Sequence, residues 1–248
     1  MQVEWDYTEL ADAYLRRPAY AEAAIDEILL RSGVQTGQPV CDIGAGTGTL
    51  TVALAQCGLK VTAVEPNAAM AAHGRRRTAG HGVTWVDAVA EATTLPDQTF
   101  ALVTFGSSFN VIQRSEALQE VARILQPAGW IACLFNHRVL DDPLQNTVQE
   151  VIAREVPGFS HGSRREDQSP YITESGAFHP VQAFVRPVTH RMSWADYVEA
   201  WRSHCTLKRQ AGERFPEVIE AIAAVENREP ETMIDVPYET RVWLAQRL

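Results

Sequence analysis

Three glycines at alternating positions follow a short apolar run near the start of this sequence. The segment reads VCDIGAGTG over residues 40–48 and leads into a stretch with helical apolar spacing. Glycine lets a backbone turn tightly and approach a ligand closely, and the start of the following helix offers unpaired N–H groups. Such a loop is typical of a site for a pyrophosphate, or for the polar tail and sugar of a nucleoside.

A carboxylate completes this pattern. Glu65 ends the next β-branched run, 17 residues after Gly48. A carboxylate at that position can accept hydrogen bonds from both hydroxyls of a ribose. The dinucleotide fingerprint has the spacing G-x-G-x-x-G, but Thr49 stands where its third glycine would be. The pattern therefore favours a nucleoside ligand, and a nicotinamide-dependent oxidoreductase remains the alternative.

Short apolar runs and helical patterns alternate around these residues. Strands are predicted at 39–43, 60–65, 82–86, 100–105 and 130–135. Helices are predicted between them, at 49–57, at 67–77 with Asn67 as N-cap, and at 115–125 with Ser115 as cap. This alternation predicts right-handed βαβ crossovers and an α/β fold with a parallel sheet between two helical layers.

The pattern changes after His137. A helix at 141–156, a strand at 184–192, helices at 194–205 and 217–225 and a last strand at 236–246 are predicted there. We expect one domain with an inserted cap, whose last strand rejoins the sheet. The predicted parts are an N-terminal helical lid (1–34), a core (35–138), a cap (139–230) and the segment with the final strand (231–248).

Composition narrows the function classes. The chain has 248 residues and a formal charge of −9, which disfavours binding to nucleic acid or to an anionic membrane. The longest apolar run, residues 130–135, is far shorter than the roughly 20 residues that span a bilayer. The N-terminus lacks the features of a signal peptide, and the four cysteines form no Cys-x-x-Cys pair. We expect a cytoplasmic protein without a metal site; the oligomeric state stays open.

Together these segments resemble the class I S-adenosylmethionine-dependent methyltransferases over residues 39–135. Besides the glycine loop and Glu65, the resemblance includes the segments Asp87-Ala88, LPD at 95–97, FALV at 100–103 and EVARILQP at 120–127. Two positions depart from the family pattern: Ala101 replaces an aspartate, and Ala128 replaces the first glycine of a Pro-Gly-Gly turn. The resemblance implies a Rossmann-like, mostly parallel seven-stranded sheet whose last strand is antiparallel. It also implies S-adenosyl-L-methionine as cofactor and S-adenosyl-L-homocysteine as product.

The resemblance also implies roles for individual residues. Glu65 would bind the ribose hydroxyls, Asp87 the adenine amino group, and Met70 would pack on the purine. The positions assigned to the cofactor site are Tyr14, Arg17, Asp42, Gly44, Ala45, Gly46, Gly48, Glu65, Pro66, Met70, Asp87, Ala88, Gly106 and Ser107. Structural alternatives stay open for some of them. Asp42 could cap a helix, Met70 could be ordinary core, and Tyr14 and Arg17 could belong to an amphipathic helix packed on the core.

Methyl transfer needs an aligned nucleophile and, for a hydroxyl or ammonium acceptor, a base. His137, two residues past the fifth strand, and His204 in the cap are the candidate bases. Candidate acceptor-binding residues are Phe109, Tyr171, Trp201 and Arg202, and Arg164, Arg165 and Arg202 could bind an acceptor carboxylate. Structural or surface roles are the alternative for each of these residues.

The C-terminal part loosely resembles the trans-aconitate methyltransferase-like enzymes. Strand four leads into TFGSSF at 104–109, not the Asn-Pro-Pro-Tyr of enzymes that methylate amide or base nitrogens. We therefore expect a small-molecule acceptor, methylated on oxygen or nitrogen rather than on carbon. A protein that binds the cofactor without catalysis is the third hypothesis.

Overall fold

The computed structural model describes residues 6–248 of the chain. The first five residues of the predicted lid, with Trp5 among them, lie outside this range. None of the helices within residues 6–248 combines the length and the apolar content that a membrane crossing requires.

A seven-stranded sheet organises the described chain. Its strands are β1 (Pro39–Ile43), β2 (Lys60–Val64), β3 (Thr84–Val86), β4 (Phe100–Gly106), β5 (Leu125–Arg138), β6 (Gln182–Ser193) and β7 (Met233–Gln246). They lie in the order β3-β2-β1-β4-β5-β7-β6. The pairs among β1 to β5 are parallel, and β7 is antiparallel to both β5 and β6. The predicted Rossmann-like sheet with an antiparallel last strand is therefore confirmed.

Strand β5 continues past its predicted end at Phe135. It reaches Arg138 because β7 pairs with it along nine consecutive positions, from Trp130 opposite Gln246 to Arg138 opposite Tyr238. The pairing partner is over 100 residues away in sequence, so local patterns gave no sign of the extension. The consequence is that His137 and Arg138 are held rigidly by a sheet rather than by a loop.

Ten α-helices are present in the described range. They are α1 (Ala11–Tyr14), α2 (Glu22–Ser32), α3 (Thr49–Gln56), α4 (Ala68–Arg77), α5 (Arg114–Ile124), α6 (Pro143–Glu155), α7 (Ser169–Glu174), α8 (Trp194–Arg202), α9 (Cys205–Ala211) and α10 (Phe215–Ala223). Asn67 caps α4 as predicted, since its side chain accepts a hydrogen bond from the Met70 N–H at 3.0 Å. The predicted cap at Ser115 is wrong, because α5 already begins at Arg114.

The predicted helix over 194–205 is two helices. Helix α8 ends at Arg202, and the Nδ1 atom of His204 accepts a hydrogen bond from the Leu207 N–H at 3.1 Å. This side chain therefore serves as the N-cap of α9. An imidazole is an unusual cap, and the usual residue types at helix starts gave no sign of the break.

Helices α6, α8 and α10 enclose a hydrophobic cluster of their own. Val148, Tyr197, Trp201 and Ile219 are buried in it, together with Val236 of β7. The sheet and its flanking helices bury two further clusters. These helices therefore pack against β6 and β7, and β6, which lies within the predicted cap range, is an edge strand of the sheet.

The N-terminal segment bridges the core and the cap. Arg17 donates to the hydroxyl and the carbonyl oxygen of Ser203, at 2.7 and 2.8 Å. Asn67 donates to the Thr8 hydroxyl at 3.0 Å, and Lys208 forms an ion pair with Glu9 at 2.7 Å. These contacts fix residues 8–17 across the opening between the two layers.

Candidate functional site

A cavity of about 1200 Å³ lies between the glycine loop, the N-terminal segment and the cap. Eleven of the fourteen predicted cofactor positions line it. They are Tyr14, Arg17, Asp42, Gly44, Ala45, Gly46, Glu65, Pro66, Met70, Gly106 and Ser107. Gly48 is buried behind the loop, and Asp87 and Ala88 lie after β3 outside the lining. The carboxyl ends of β1, β2 and β4 therefore meet at one cavity, as the sequence predicts for a parallel sheet.

The glycine loop needs glycine for two physical reasons. Gly44 and Gly46 have φ values of +67° and +57°, which side chains disfavour. A Cβ atom on Gly44 would lie 2.5 Å from the Cβ of Ser108, and one on Gly46 would lie 3.2 Å from the Met70 methyl carbon. The loop therefore packs closely against β4 and α4 while its backbone borders the cavity.

Glu65 lies directly after β2 with a buried side chain. Its Oε2 accepts a hydrogen bond from the Gly46 N–H and its Oε1 one from the Asn67 N–H, both at 2.8 Å. Burial raises the pKa of this carboxyl, while the two N–H groups act in the opposite direction. Each oxygen keeps a second lone pair, so the carboxylate has capacity for two further donors from the cavity.

Asp42 lies in β1 and is almost fully buried. Its oxygens accept hydrogen bonds from the hydroxyls of Thr51 at 2.6 Å and Thr104 at 2.9 Å. Burial raises the pKa of Asp42 to about 6, although both hydroxyls favour the ionised form. The alternative interpretation of Asp42 as a helix cap is wrong, since α3 has Gly48 as N-cap with no side-chain hydrogen bond.

The end of β4 is held by a residue that the sequence did not indicate. Tyr20 donates a hydrogen bond to the Ser107 hydroxyl at 3.0 Å, and burial raises the pKa of Tyr20 to about 12. Ser107 has a φ of +59°, and its N–H donates to the Leu134 carbonyl oxygen at 2.8 Å. Tyr20 also lines the cavity. An aromatic residue within the predicted N-terminal helical lid carries no signal for such a contact.

His137 lies at the cavity wall with an unpartnered nitrogen. Its side chain is 3% exposed, and its Nε2 lies 3.1 Å from the Arg164 carbonyl oxygen. That oxygen can only accept, so Nε2 carries the proton and Nδ1 has a free lone pair. Nδ1 is buried without a hydrogen-bond partner among the described residues. Burial, with a smaller contribution from Arg164 and Arg165, lowers the pKa of His137 to about 2.

His204, the second candidate base, is differently placed. Its Nδ1 is occupied by the Leu207 N–H, so the neutral ring carries its proton on Nε2. The ring stacks on Trp201 with centroids 5.3 Å apart, and burial lowers its pKa well below the ordinary value. His204 lines the cavity as a hydrogen-bond donor rather than as a base.

The predicted acceptor residues divide into two groups. Trp201 lines the cavity, as do Arg164 and Arg165. The other three lie away from the cavity. Phe109 is fully buried against Phe105, Tyr171 packs under the Arg114 guanidinium, and Arg202 forms an exposed ion pair with Glu199.

Three cap-side residues were not predicted for the site. Arg138, Gln149 and His161 line the cavity. Arg138 could have been found only by extending β5 to its full length. His161 and Gln149 are joined by a hydrogen bond of 3.1 Å across twelve residues of sequence, a contact that local patterns do not show. The described residues contain no group of three or more metal-binding side chains.

Comparison with known proteins identifies the central part of the chain. Residues 40–129 match the family model described as a methyltransferase domain. The chain is 32% identical over 161 residues to the ubiquinone/menaquinone biosynthesis C-methyltransferase UbiE of Escherichia fergusonii. The match covers 61% of this chain and 64% of that protein. The chain therefore spans less than two thirds of the length of the curated relatives that it matches.

Solved structures extend the likeness of the fold to nearly the whole chain. A protein from Anaeromyxobacter dehalogenans, proposed to be a type II methyltransferase, has a TM-score of 0.66 at 20% identity, with 93% of this chain and 97% of that one covered. A Haemonchus contortus phosphoethanolamine N-methyltransferase 2 bound to phosphomonomethylethanolamine and S-adenosylhomocysteine has a TM-score of 0.55 at 16% identity, with 96% and 57% covered. At these identities the likeness concerns the fold alone.

Proposed function

We propose that the protein is a class I S-adenosylmethionine-dependent methyltransferase that transfers a methyl group to a small-molecule acceptor, a proposal supported by the match of residues 40–129 to a methyltransferase domain. The observation that carries the proposal is Glu65. Its buried carboxylate lies at the carboxyl edge of the sheet, held by two backbone N–H groups at 2.8 Å and with lone pairs to spare. This arrangement fits the neighbouring hydroxyls of a ribose.

The rest of the glycine-loop side also fits S-adenosylmethionine. Met70 is buried at the cavity wall and offers an apolar surface to a purine. Asp42 would bind the ammonium of the methionine moiety, and a cation beside Asp42 would favour its ionised form. Tyr14 and Arg17 border the same space from the N-terminal segment, where the methionine carboxylate would meet the guanidinium.

When bound, S-adenosylmethionine supplies an activated methyl group, and S-adenosylhomocysteine is left. The residues of the chain then need only align the acceptor and exclude water, which can contribute about 7–11 kcal/mol to lowering the barrier. The N-terminal segment is suited to exclude water because it connects core and cap over the cavity. For an acceptor that bears a hydroxyl or an amine, the free Nδ1 of His137 would accept a hydrogen bond and orient the acceptor; with a pKa of about 2 it is too weak a base to hold the released proton.

The placement of His137 favours methylation of oxygen or nitrogen, since its free Nδ1 would accept a hydrogen bond from a hydroxyl or an amine and so orient it. Methylation of carbon is the second candidate. It is favoured by the curated relatives, which are named as C-methyltransferases. Identification of the methylated product by mass spectrometry and NMR, after incubation with S-adenosylmethionine and a metabolite extract, distinguishes the two.

Isothermal titration calorimetry tests the cofactor directly. We expect S-adenosylhomocysteine to bind the folded protein with a micromolar dissociation constant, and reduced nicotinamide dinucleotide to show no saturable binding. Saturable binding of the dinucleotide without binding of S-adenosylhomocysteine would replace the proposal with the oxidoreductase alternative. Binding without turnover in metabolite extracts would favour the non-catalytic alternative.

A further inference from the structure

One end of the cavity, here called the cap end, is lined by Arg138, Arg164 and Arg165. It is positively charged, although the net charge of the protein is −9. Resting on the proposed function, we propose that the methyl acceptor carries an anionic oxygen group, a carboxylate or a phosphate, bound by Arg138, Arg164 and Arg165. The three side chains come from the end of β5 and from the turn Gly162–Arg165. All three line the cavity.

These three arginines have no carboxylate partner within 4 Å in the described part of the chain. Nine other arginines of residues 6–248 form ion pairs, namely Arg16, Arg31, Arg123, Arg154, Arg186, Arg202, Arg214, Arg228 and Arg241. No carboxylate of the described residues therefore neutralises Arg138, Arg164 or Arg165 by direct contact, although the charge of Glu239 acts favourably on Arg165.

Neutral contacts fix the three guanidinium groups and leave donors free. Arg164 donates to the Asn136 carbonyl oxygen at 3.2 Å, and Arg165 donates to the Arg138 carbonyl oxygen at 2.9 Å. The Arg138 guanidinium lies 4.0 Å from the centre of the Trp201 ring. A guanidinium has five N–H groups in a fixed plane, so each of these side chains keeps a pair for a bidentate partner.

Two further donors at the cap end lack partners. The Nε of Arg138 and the Nε2 of Gln149 are buried without a hydrogen bond to the described residues. The Oε1 of Gln149 lies 3.1 Å from the His161 Nε2, which orients the amide. Both side chains line the cavity, and the acceptor oxygens of a ligand would satisfy these two donors.

The electrostatic effect of the cluster agrees with this geometry. Burial, together with the charges of Arg164, Arg241 and Arg138, lowers the pKa of Arg165 to about 10, although the charge of Glu239 acts in the opposite direction. The same cluster contributes to the lowered pKa of His161, which is about 4. Partly buried cations that repel one another are unfavourable without a counter-charge, so an anion at this place stabilises all of them. A cationic acceptor would be repelled.

The test uses wild-type protein saturated with S-adenosylhomocysteine and four probes that share a phenyl ring and differ in the charge of its substituent: benzoate, phenyl phosphate, benzamide and benzylammonium. We expect one of the two anions to bind at least tenfold more tightly than benzamide, and benzylammonium not to bind. Tighter binding of benzoate indicates a carboxylate acceptor, and tighter binding of phenyl phosphate indicates a phosphate. Equal binding of anions and benzamide, or binding of neither anion, overturns the inference.

Substitutions of the arginines test whether the anionic probe binds to them. Arg138→Met and Arg165→Gln should each weaken the preferred anion at least tenfold, whereas Arg154→Met, which removes an exposed ion-paired guanidinium, should leave it within twofold. Arg138→Lys, which keeps the charge, replaces Arg138→Met if that variant does not fold. Affinity for S-adenosylhomocysteine is measured on the same samples. If the wild type does not bind S-adenosylhomocysteine, the proposed function is refuted. If the wild type binds S-adenosylhomocysteine but its anion binding does not depend on the arginines, only this inference is refuted.

Discussion

The two ends of the cavity differ in the sign of their charge and in how that charge is satisfied. At the glycine-loop end, the carboxylates of Asp42 and Glu65 accept four hydrogen bonds of 2.6–2.9 Å from hydroxyl and backbone donors. At the cap end, Arg138, Arg164 and Arg165 carry charge without an acidic partner in the described chain. The Glu65 carboxylate keeps lone pairs for further donors, whereas the guanidinium groups at the second end keep N–H donors for an acceptor.

This difference indicates which ligand each end is built for. Preorganised carboxylates suit a ligand with hydroxyl and ammonium groups, and uncompensated guanidinium groups suit one with anionic oxygens. It also shows that the net charge of a protein predicts which molecules it attracts at long range, but not the local charge inside one cavity. Substitutions at one end of the cavity should therefore leave the affinity for the ligand at the other end nearly unchanged.

The largest effect is expected for Glu65→Ala. Loss of the carboxylate should weaken binding of S-adenosylhomocysteine by about 1.5–3 kcal/mol, because hydrogen bonds to a charged group are lost. Calorimetry measures the change. Glu174→Gln, at an exposed position of α7, is the control and should bind as the wild type does. An unchanged affinity in Glu65→Ala would remove this residue from the cofactor site.

Asp42→Asn should change the pH dependence of stability at the same end. The pKa of Asp42 is raised from 3.8 to about 6, so the folded state binds more protons than the unfolded state between these values. The free energy of unfolding therefore falls as pH rises through this window. The variant does not lose stability in this way. Its free energy of unfolding, relative to that of the wild type, should therefore increase by about 2 kcal/mol as the pH rises from 4.5 to 7.5.

Urea denaturation at several pH values gives the slope of this difference. The matched control is Asp26→Asn, which alters an exposed carboxylate of α2. A difference between Asp42→Asn and wild type that stays constant with pH would show that Asp42 is ionised without cost in the folded protein.

His137→Gln should have the opposite pH dependence at the cap end. The pKa of His137 is lowered from 6.5 to about 2, so the unfolded state binds the extra proton below pH 6.5. The wild type therefore loses stability as the pH falls. Between pH 7 and pH 5.5 the free energy of unfolding of the variant should decrease by about 1 kcal/mol less than that of the wild type. The exposed His81→Gln is the control. Equal acid sensitivity of wild type and His137→Gln would contradict the buried neutral imidazole.

The smallest effect is expected at Ala128, which belongs to neither end. Its φ of +57° is unfavourable for an L-residue, and glycine removes this strain at some cost in conformational entropy of the unfolded chain. Ala128→Gly should raise the free energy of unfolding by about 0.5 kcal/mol without changing affinity for either ligand. Thermal denaturation and calorimetry measure both quantities, and destabilisation would show that the strain is absent.

Much of the glycine-loop end was predictable, because its residues lie in continuous segments with strong local constraints. The run VCDIGAGTG specifies strand, turn and helix in order, and β2 places Glu65 beside it. Errors arose where long-range contacts overrode local patterns. Pairing with β7 extended β5 to Arg138, and an imidazole cap divided the helix predicted over 194–205.

The cap end could not be predicted in the same way. Its side chains come from β5, α6, the turn Gly162–Arg165 and α8, and only packing decides which of them face the cavity. Trp201 reaches it, while Arg202, the next residue on the same helix, turns to Glu199 at the surface. A single residue step rotates a side chain by about 100° around a helix, so small shifts of α8 change the site.

The sequence by itself determined the sheet, the glycine loop and the acidic residue beside it, since hydrophobic periodicity and glycine placement act over neighbouring residues. Only the tertiary structure decided that Asp42 is held by two hydroxyls and that His137 has a free nitrogen. It also decided that Arg138, Arg164 and Arg165 line one cavity without an ion pair to any residue of the range 6–248. Burial and charge clustering depend on distances between residues far apart in the chain, and local sequence does not encode those distances.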